Sequence, residues 1–166
     1  MNNSKKIASY KSFIITFYYA ALFFDLKHPI RTVTNWPDYW ADSFKLRKNK
    51  ISLCHLRNGI IYKVRPGTLD RVIVAETNLY KHYNPPGFEI GQNDIVLDIG
   101  AQIGTFAIMA ANLAKKGRVI ALEPEKNNFS LFRENISLNK ITNILPLNQA
   151  VSNKASQGLL HLSADN

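Results

Sequence analysis

Two carboxylates on either side of a glycine-bearing turn are the residues of this chain best suited to chemistry. Asp98 opens the run Asp98-Ile99-Gly100-Ala101-Gln102-Ile103-Gly104-Thr105, and Glu123 follows at a distance that fits one helix and one strand. Glycines let a backbone turn sharply and admit a ligand closely, and a carboxylate at the next strand end can accept bonds from both ribose hydroxyls. The chemistry this pattern suits is nucleoside binding. The elements that must position it are legible around it. Asp94–Ile99 is apolar and branched, which predicts a short buried parallel strand broken at Gly100. Ile103, Phe106, Ala107, Met109, Ala110 and Leu113 have helical spacing, and Lys115-Lys116-Gly117 would close that helix with cations and a C′ glycine. Arg118–Leu122 reads as a second strand with Glu123 at its carboxyl end, completing a βαβ unit over residues 94–123.

The side chains in the turn discriminate between nucleosides. A dinucleotide fingerprint has G-x-G-x-x-G, the middle glycine letting the backbone meet a pyrophosphate. Gln102 occupies that middle position and Thr105 the third, while the remaining glycine falls at 104. A glutamine side chain obstructs a pyrophosphate, and Asp98 would repel one. The same carboxylate suits a ligand carrying an ammonium and a sulfonium, which favours S-adenosylmethionine over NAD or FAD.

Asp98–Thr105, Ala121-Leu122-Glu123-Pro124, Asn135 with Leu138-Asn139, and Asn148-Gln149-Ala150-Val151-Ser152 together resemble the FkbM-like S-adenosylmethionine-dependent methyltransferases. Leu56-Arg57-Asn58-Gly59, Arg65-Pro66-Gly67-Thr68 and Asp70 resemble that family's opening segment, so the resemblance covers roughly residues 50 to 160. It implies an α/β, Rossmann-like class I methyltransferase sheet. It also implies that Asp98, Gly100 and Gly104, with Gln102 and Thr105 between and beside them, surround the methionine part of the cofactor. Glu123 would hold the ribose and the Asn148–Ala150 turn would lie near the adenine. Gln149 stands where many relatives of that family place an aspartate. Tyr83 could approach the cofactor, or it could simply pack in the core.

The chain has 166 residues, enough for one domain with an appendage, and 46% of them are hydrophobic, ample for a core. A lone cysteine, Cys54, excludes an internal disulfide and reads as a small buried hydrophobe in a reducing compartment. His28, His55, His82 and His161 are far apart and show no metal-ligand spacing. The net charge of +9 is uneven: residues 1–66 carry 12 basic and 3 acidic side chains, residues 67–166 carry 9 of each. The basic half fits either an anionic partner or an ordinary solvated face. Its densest run, Lys45 to Lys50, is too short for a nucleic-acid arm, and a nucleic-acid partner is read as unlikely.

Residues 1–28 form a compositional block of their own. Phe13–Phe24 is apolar and aromatic on every side, and its 12 residues would span about 18 Å as a helix, short of the roughly 30 Å of bilayer hydrocarbon. Packing on the domain and peripheral membrane contact both remain open, the first favoured because a run apolar all round lacks an amphipathic face. The location expected is cytoplasmic, membrane-associated under the second option. Residues 29–50 are a connector in which Trp36, Tyr39, Trp40 and Phe44 could act as pins. The partial methyltransferase domain then occupies 51–166. It starts with a hairpin over 51–64 turning at Asn58-Gly59, where both residues would take positive φ. A helix over 69–82 follows, with Thr68 as N-cap and Asp70 in its first turn. After Glu123, Pro124 would start a helix with Phe129, Phe132 and Ile136 on its apolar stripe. Ile141–Leu147 would be a third strand and Gly158–Leu162 a short outer one. Asn128-Phe129-Ser130 and Asn135-Ile136-Ser137 match the glycosylation pattern inside a helix, and read as chance.

The third core strand ends near residue 147, so the sheet is expected to be truncated there, with a missing C-terminal half or a partner covering its open edge. No catalytic base can then be named. The resemblance implies methyl transfer to a small-molecule or carbohydrate hydroxyl. A nucleotide-linked oxidoreductase and a non-catalytic, membrane-associated remnant are the competing readings.

Overall fold

The computed structural model describes residues 33–37, 51–78, 83–154 and 156–161. Residues 1–32 and 38–50 lie outside these, and so do the expectations placed on the apolar N-terminal block and most of the connector.

The described chain opens with an antiparallel hairpin of β1 (Ser52–His55) and β2 (Ile61–Val64). Its turn differs from the expectation. Only Gly59 takes positive φ, at 89°, while the Leu56 amide bonds the Ile60 carbonyl and the Gly59 amide bonds the Leu56 carbonyl. That is a three-residue loop closed by a glycine bulge, which leaves Asn58 at negative φ with its side chain accepting from the Ile60 amide. Helix α1 (Asp70–Asn78) follows, the Thr68 hydroxyl accepting from the Asp70 amide at its start; residues 79–82 lie outside the described set.

The sheet consists of β3 (Ile95–Ile99), β4 (Arg118–Leu122) and β5 (Ile144–Leu147), parallel and in the order β3-β4-β5. Helix α2 (Thr105–Leu113) joins β3 to β4, and helix α3 (Lys126–Leu138) joins β4 to β5. This is the α/β, Rossmann-like arrangement expected. Its core lies on one face of the sheet, where Ala107, Ala110, Ala111 and Phe132 pack on Val119 and Ala121. A second cluster joins the hairpin to the helices through Val33, Leu56, Tyr62, Val74, Ile108 and Leu131.

Several expectations shift. β3 is buried on one side only among the described residues: Asp98 is buried, whereas Ile95, Leu97 and Ile99 are 76%, 60% and 60% exposed. The buried stripe of α2 keeps Ala107 and Ala110 from the expected set and adds Ile108 and Ala111, while Phe106 and Met109 are half-buried and Leu113 is exposed, because small side chains let the helix approach the sheet. Gly117 is not a positive-φ cap. A Cβ there would collide with the Asp94 carbonyl, so its glycine serves the close approach of β4's start to β3's. Pro124 precedes the cap of α3, which is Glu125, its carboxylate accepting from the Asn127 and Asn128 amides. Residues 156–161 form no strand, and Leu159 is exposed.

Candidate cofactor site

The carboxyl ends of three parallel strands bring Asp98, Glu123 and Asn148 to one end of the sheet, the place where open α/β sheets bind their ligands. The turn between β3 and α2 is shaped by backbone bonds. The Gly100 and Ala101 amides both bond the Leu122 carbonyl at 2.9 Å, and the Gly104 amide bonds the Ala101 carbonyl at 2.7 Å. Gly100, Gln102 and Gly104 all take positive φ, at 84°, 52° and 86°. The two glycines are needed for different reasons. A Cβ on Gly100 would meet nothing within 4 Å, so that position is open, whereas a Cβ on Gly104 would strike the Phe132 ring.

Glu123 is buried and held in place before any ligand arrives. One carboxylate oxygen accepts from the Gln102 amide at 2.8 Å, the other from the Glu125 amide at 2.9 Å. Each oxygen retains a further lone pair, so the carboxylate can still accept hydroxyl protons. The Asn148 side chain steadies the strand end by donating to the carbonyls of Glu123 at 2.7 Å and Pro124 at 3.1 Å.

Asp98 is the electrostatic centre of the site. It is buried, and its Oδ2 is a buried side-chain oxygen without a hydrogen-bond partner among the described residues. Burial first, and then the Glu123 charge, push its carboxyl up to about 6, against the Ala107 backbone amide that pulls it down. An orphaned carboxylate of this kind is costly unless a donor or cation meets it. The ammonium and sulfonium of S-adenosylmethionine are such cations, so these residues fit that cofactor.

The remaining sequence-predicted positions are less uniform. Thr105 is brought to the turn, yet its hydroxyl is buried 3.2 Å from the Thr77 hydroxyl. Tyr83 is half exposed and stacks at a tilt on Phe106, in the first turn of α2, with ring centroids 5.5 Å apart. Gln149 is exposed beside Asn148, in the loop after β5. Sequence reasoning missed the rear supports of the turn: Tyr62, whose hydroxyl donates to the Thr105 carbonyl at 3.1 Å, Thr77, and Asn135. Their one signal was Asn135, inside a helix that ordinarily disfavours asparagine, one turn before Asn139 at the helix end.

Residues 54–159 match the family described as the TRM5/TYW2 methyltransferase domain. The tRNA(Phe) (4-demethylwyosine(37)-C(7)) aminocarboxypropyltransferase of Methanocaldococcus jannaschii is 37% identical over 60 residues, which are 36% of this chain and 24% of that protein. The tRNA (guanine(37)-N(1))-methyltransferase of Batrachochytrium dendrobatidis is 44% identical over 59 residues, 35% of this chain and 12% of that protein. The crystal structure of M. jannaschii TYW2 in complex with AdoMet superposes with a TM-score of 0.43 at 26% identity, covering 61% of this chain and 44% of that one. The chain thus spans about a quarter and an eighth of the two curated relatives and 44% of the solved one.

These findings correct three expectations. The class I, S-adenosylmethionine-dependent methyltransferase assignment stands, but the matching family is TRM5/TYW2 and not the FkbM-like one. The small-molecule or sugar acceptor has no counterpart in these relatives. Both curated relatives are named for a tRNA substrate, which overturns the expectation that nucleic acid is an unlikely partner. No helix among the described residues is long and apolar enough to cross a membrane.

Proposed function

The chain belongs to the TRM5/TYW2 methyltransferase domain family, and from that membership we propose that it forms the cofactor-binding part of an enzyme that modifies a tRNA base at or near position 37. The observation that carries this reading is that both curated relatives, which differ in the group they transfer, are named for residue 37 of tRNA. A cytoplasmic setting goes with that partner. In this reading Asp98, Gly100, Gln102, Gly104 and Thr105 receive the methionine part of S-adenosylmethionine. Glu123 takes the ribose, Gln149 lies by the adenine, and Tyr83 stands beside the start of α2.

The cofactor supplies an activated carbon on a sulfonium. What this chain's residues contribute is orientation and charge. Good alignment of two reactants is worth about 7–11 kcal/mol of barrier. A sulfonium carries three carbon substituents, and the one that faces the nucleophile is the one transferred. Aminocarboxypropyl transfer is therefore a second reading, favoured by the name of the archaeal relative.

Two S-adenosylmethionine preparations, one labelled in the methyl group and one in the carboxyl carbon, offered to the chain with transcribed tRNA and with tRNA carrying 4-demethylwyosine at position 37, separate these readings. Methyl label in tRNA is expected; carboxyl label would select the second reading. Label appearing only in small hydroxyl acceptors would overturn the tRNA assignment. Binding of the cofactor is tested separately by calorimetry. Glu123→Gln removes a charged acceptor, and hydrogen bonds to charged groups are worth about 1.5–3 kcal/mol, so affinity should fall on the order of ten- to a hundred-fold. Glu125→Gln should leave affinity unchanged and lower stability by about 1 kcal/mol, the usual worth of a helix cap. Equal effects on affinity from the two would remove Glu123 from the ribose.

A further inference from the structure

We propose that Asn135 is a positioning residue for the cofactor site: from inside α3 it fixes the Ile103 carbonyl, and with it the shape of the turn that receives S-adenosylmethionine, and it ties that turn to the β1–β2 hairpin. The proposal rests on the cofactor reading above and adds a residue to it that touches no cofactor.

Asn135 is fully buried in the last turn of α3, inside the helix, where an asparagine is normally a liability because its side chain competes with the backbone. Here every polar atom of that side chain is used on two separate segments. Its Oδ1 accepts from the Lys63 amide at 2.7 Å, and its Nδ2 donates to the Ile103 carbonyl at 2.9 Å and the Lys63 carbonyl at 3.3 Å. Asn139, one turn on, treats Ile61 in the same way, accepting from its amide at 2.8 Å and donating to its carbonyl at 2.7 Å. The two asparagines thus pair with the outer edge of β2 as a neighbouring strand would, and so protect an edge that would otherwise present unpaired backbone. Asn139 stops there. Asn135 alone reaches across to the turn.

The atom it reaches is one that needs a partner. The backbone bond entering α2 from the turn runs from the Ile108 amide to the Gly104 carbonyl, so the Ile103 carbonyl lies one residue outside the helical ladder. It also sits between Gln102 and Gly104, both at positive φ. A buried carbonyl without a donor costs on the order of 1–3 kcal/mol, so the peptide would rotate to find one if Asn135 were removed. Rotation of that peptide would disturb the Gln102 amide that holds Glu123 and the Gly104 amide that closes the turn. Tyr62 and Thr77 grip Thr105, one residue beyond, so the hairpin, α1 and α3 converge on the same three-residue segment from behind.

The test compares Asn135→Leu with Asn139→Leu in the full chain, since both strip the β2 edge and only the first releases the turn. Two readouts are taken below the melting temperature of each variant: S-adenosylmethionine affinity by calorimetry, and amide hydrogen exchange at Gln102 and Gly104 in the ligand-free chain. Asn135→Leu should weaken the cofactor tenfold or more and speed exchange at both amides. Asn139→Leu should lower the melting temperature while leaving affinity within twofold and turn exchange unchanged. Equal shifts in the two variants, or unchanged turn exchange in Asn135→Leu, would reduce Asn135 to a structural residue and overturn the proposal. Should Asn135→Leu not fold, Asn135→Asp, which keeps the acceptor for the Lys63 amide, carries the same comparison. A wild-type chain that binds no S-adenosylmethionine would sink the cofactor reading, and the exchange readout would still decide whether Asn135 holds the turn.

Discussion

Asp98 combines burial, an orphaned oxygen and a neighbouring carboxylate, and the pH behaviour of the free protein follows from that. Its carboxyl stands at about 6, above its ordinary value of 3.8, so the folded state holds a proton that the unfolded state has already lost between those two values. The stability this group contributes is therefore fully present below pH of about 4 and is lost as pH rises through about 6, a difference on the order of 3 kcal/mol. A cationic ligand at Asp98 reverses the preference, because it binds the ionised form. S-adenosylmethionine affinity should rise close to tenfold per unit up to about pH 6 and then level, and Asp98→Asn should flatten that profile while stabilising the ligand-free chain at pH 8. Calorimetry across pH 5 to 8 checks both, and an Asp98→Asn variant that keeps the slope would assign it to another group. The turn glycines offer a second contrast. Gly104→Ala meets both a positive φ and the Phe132 ring, and should cost about 2–4 kcal/mol of stability by urea melts. Gly100→Ala meets only the backbone strain, about 1–2 kcal/mol, but places a methyl in the open ligand space, so its larger effect should be on affinity. If Gly100→Ala left affinity intact, the ligand would not approach that side of the turn.

Among the elements, the junction of β2, α1 and α3 is held by a pair whose burial sets its worth. Arg65 donates to both oxygens of Asp70 at 2.8 and 2.9 Å and to Asn128 at 2.8 Å, while its own amide also bonds Asp70. The Asp70 side chain is 1% exposed. Removing one partner of a buried pair leaves an uncompensated charge, so Arg65→Met should cost about 3–5 kcal/mol. Lys63–Glu134, at 34% and 49% exposure, is a surface pair, and Glu134→Gln should change stability by less than about 1 kcal/mol. Urea unfolding of the two variants checks the order, and a reversed order would contradict the burial argument. The elements themselves were largely legible in the sequence, since the β3–α2–β4 pattern depends on local periodicity and on glycines that punctuate it. What escaped was decided by partners distant in the chain. Helical spacing placed Phe106 and Met109 beside Ala107 and Ala110 on the apolar face of α2, but the sheet lies close enough that the alanines take the buried positions. Gly117 carried the signature of a helix cap, and its real constraint is the Asp94 carbonyl. Asn135 meets Lys63 across 72 positions of sequence, a relation that no local window contains.

For the molecule as a whole, charge and the proposed partner belong together. The excess of basic residues lies wholly in residues 1–66, while the half that carries the cofactor site is balanced, so cofactor binding and RNA binding should respond separately to charge changes. Removing one cation that pairs with a phosphate makes the slope of log affinity against log salt shallower, by about 0.7 on a single strand and about 0.9 on a duplex. Replacing Lys45, Arg47, Lys48 and Lys50 together by glutamine removes four cations from the densest run and leaves residues 98–105 and Glu123 unchanged in sequence. If that run meets tRNA phosphates, the salt slope should become shallower by about 3–3.6, and affinity at low salt should fall by at least tenfold. S-adenosylmethionine affinity, measured on the same preparation, should stay within twofold of wild type. Filter binding of transcribed tRNA between 50 and 200 mM salt gives the slope directly. An unchanged slope would move the RNA-binding surface away from this run, and disappearance of both tRNA and cofactor binding would show that the basic half is part of the cofactor domain's own fold.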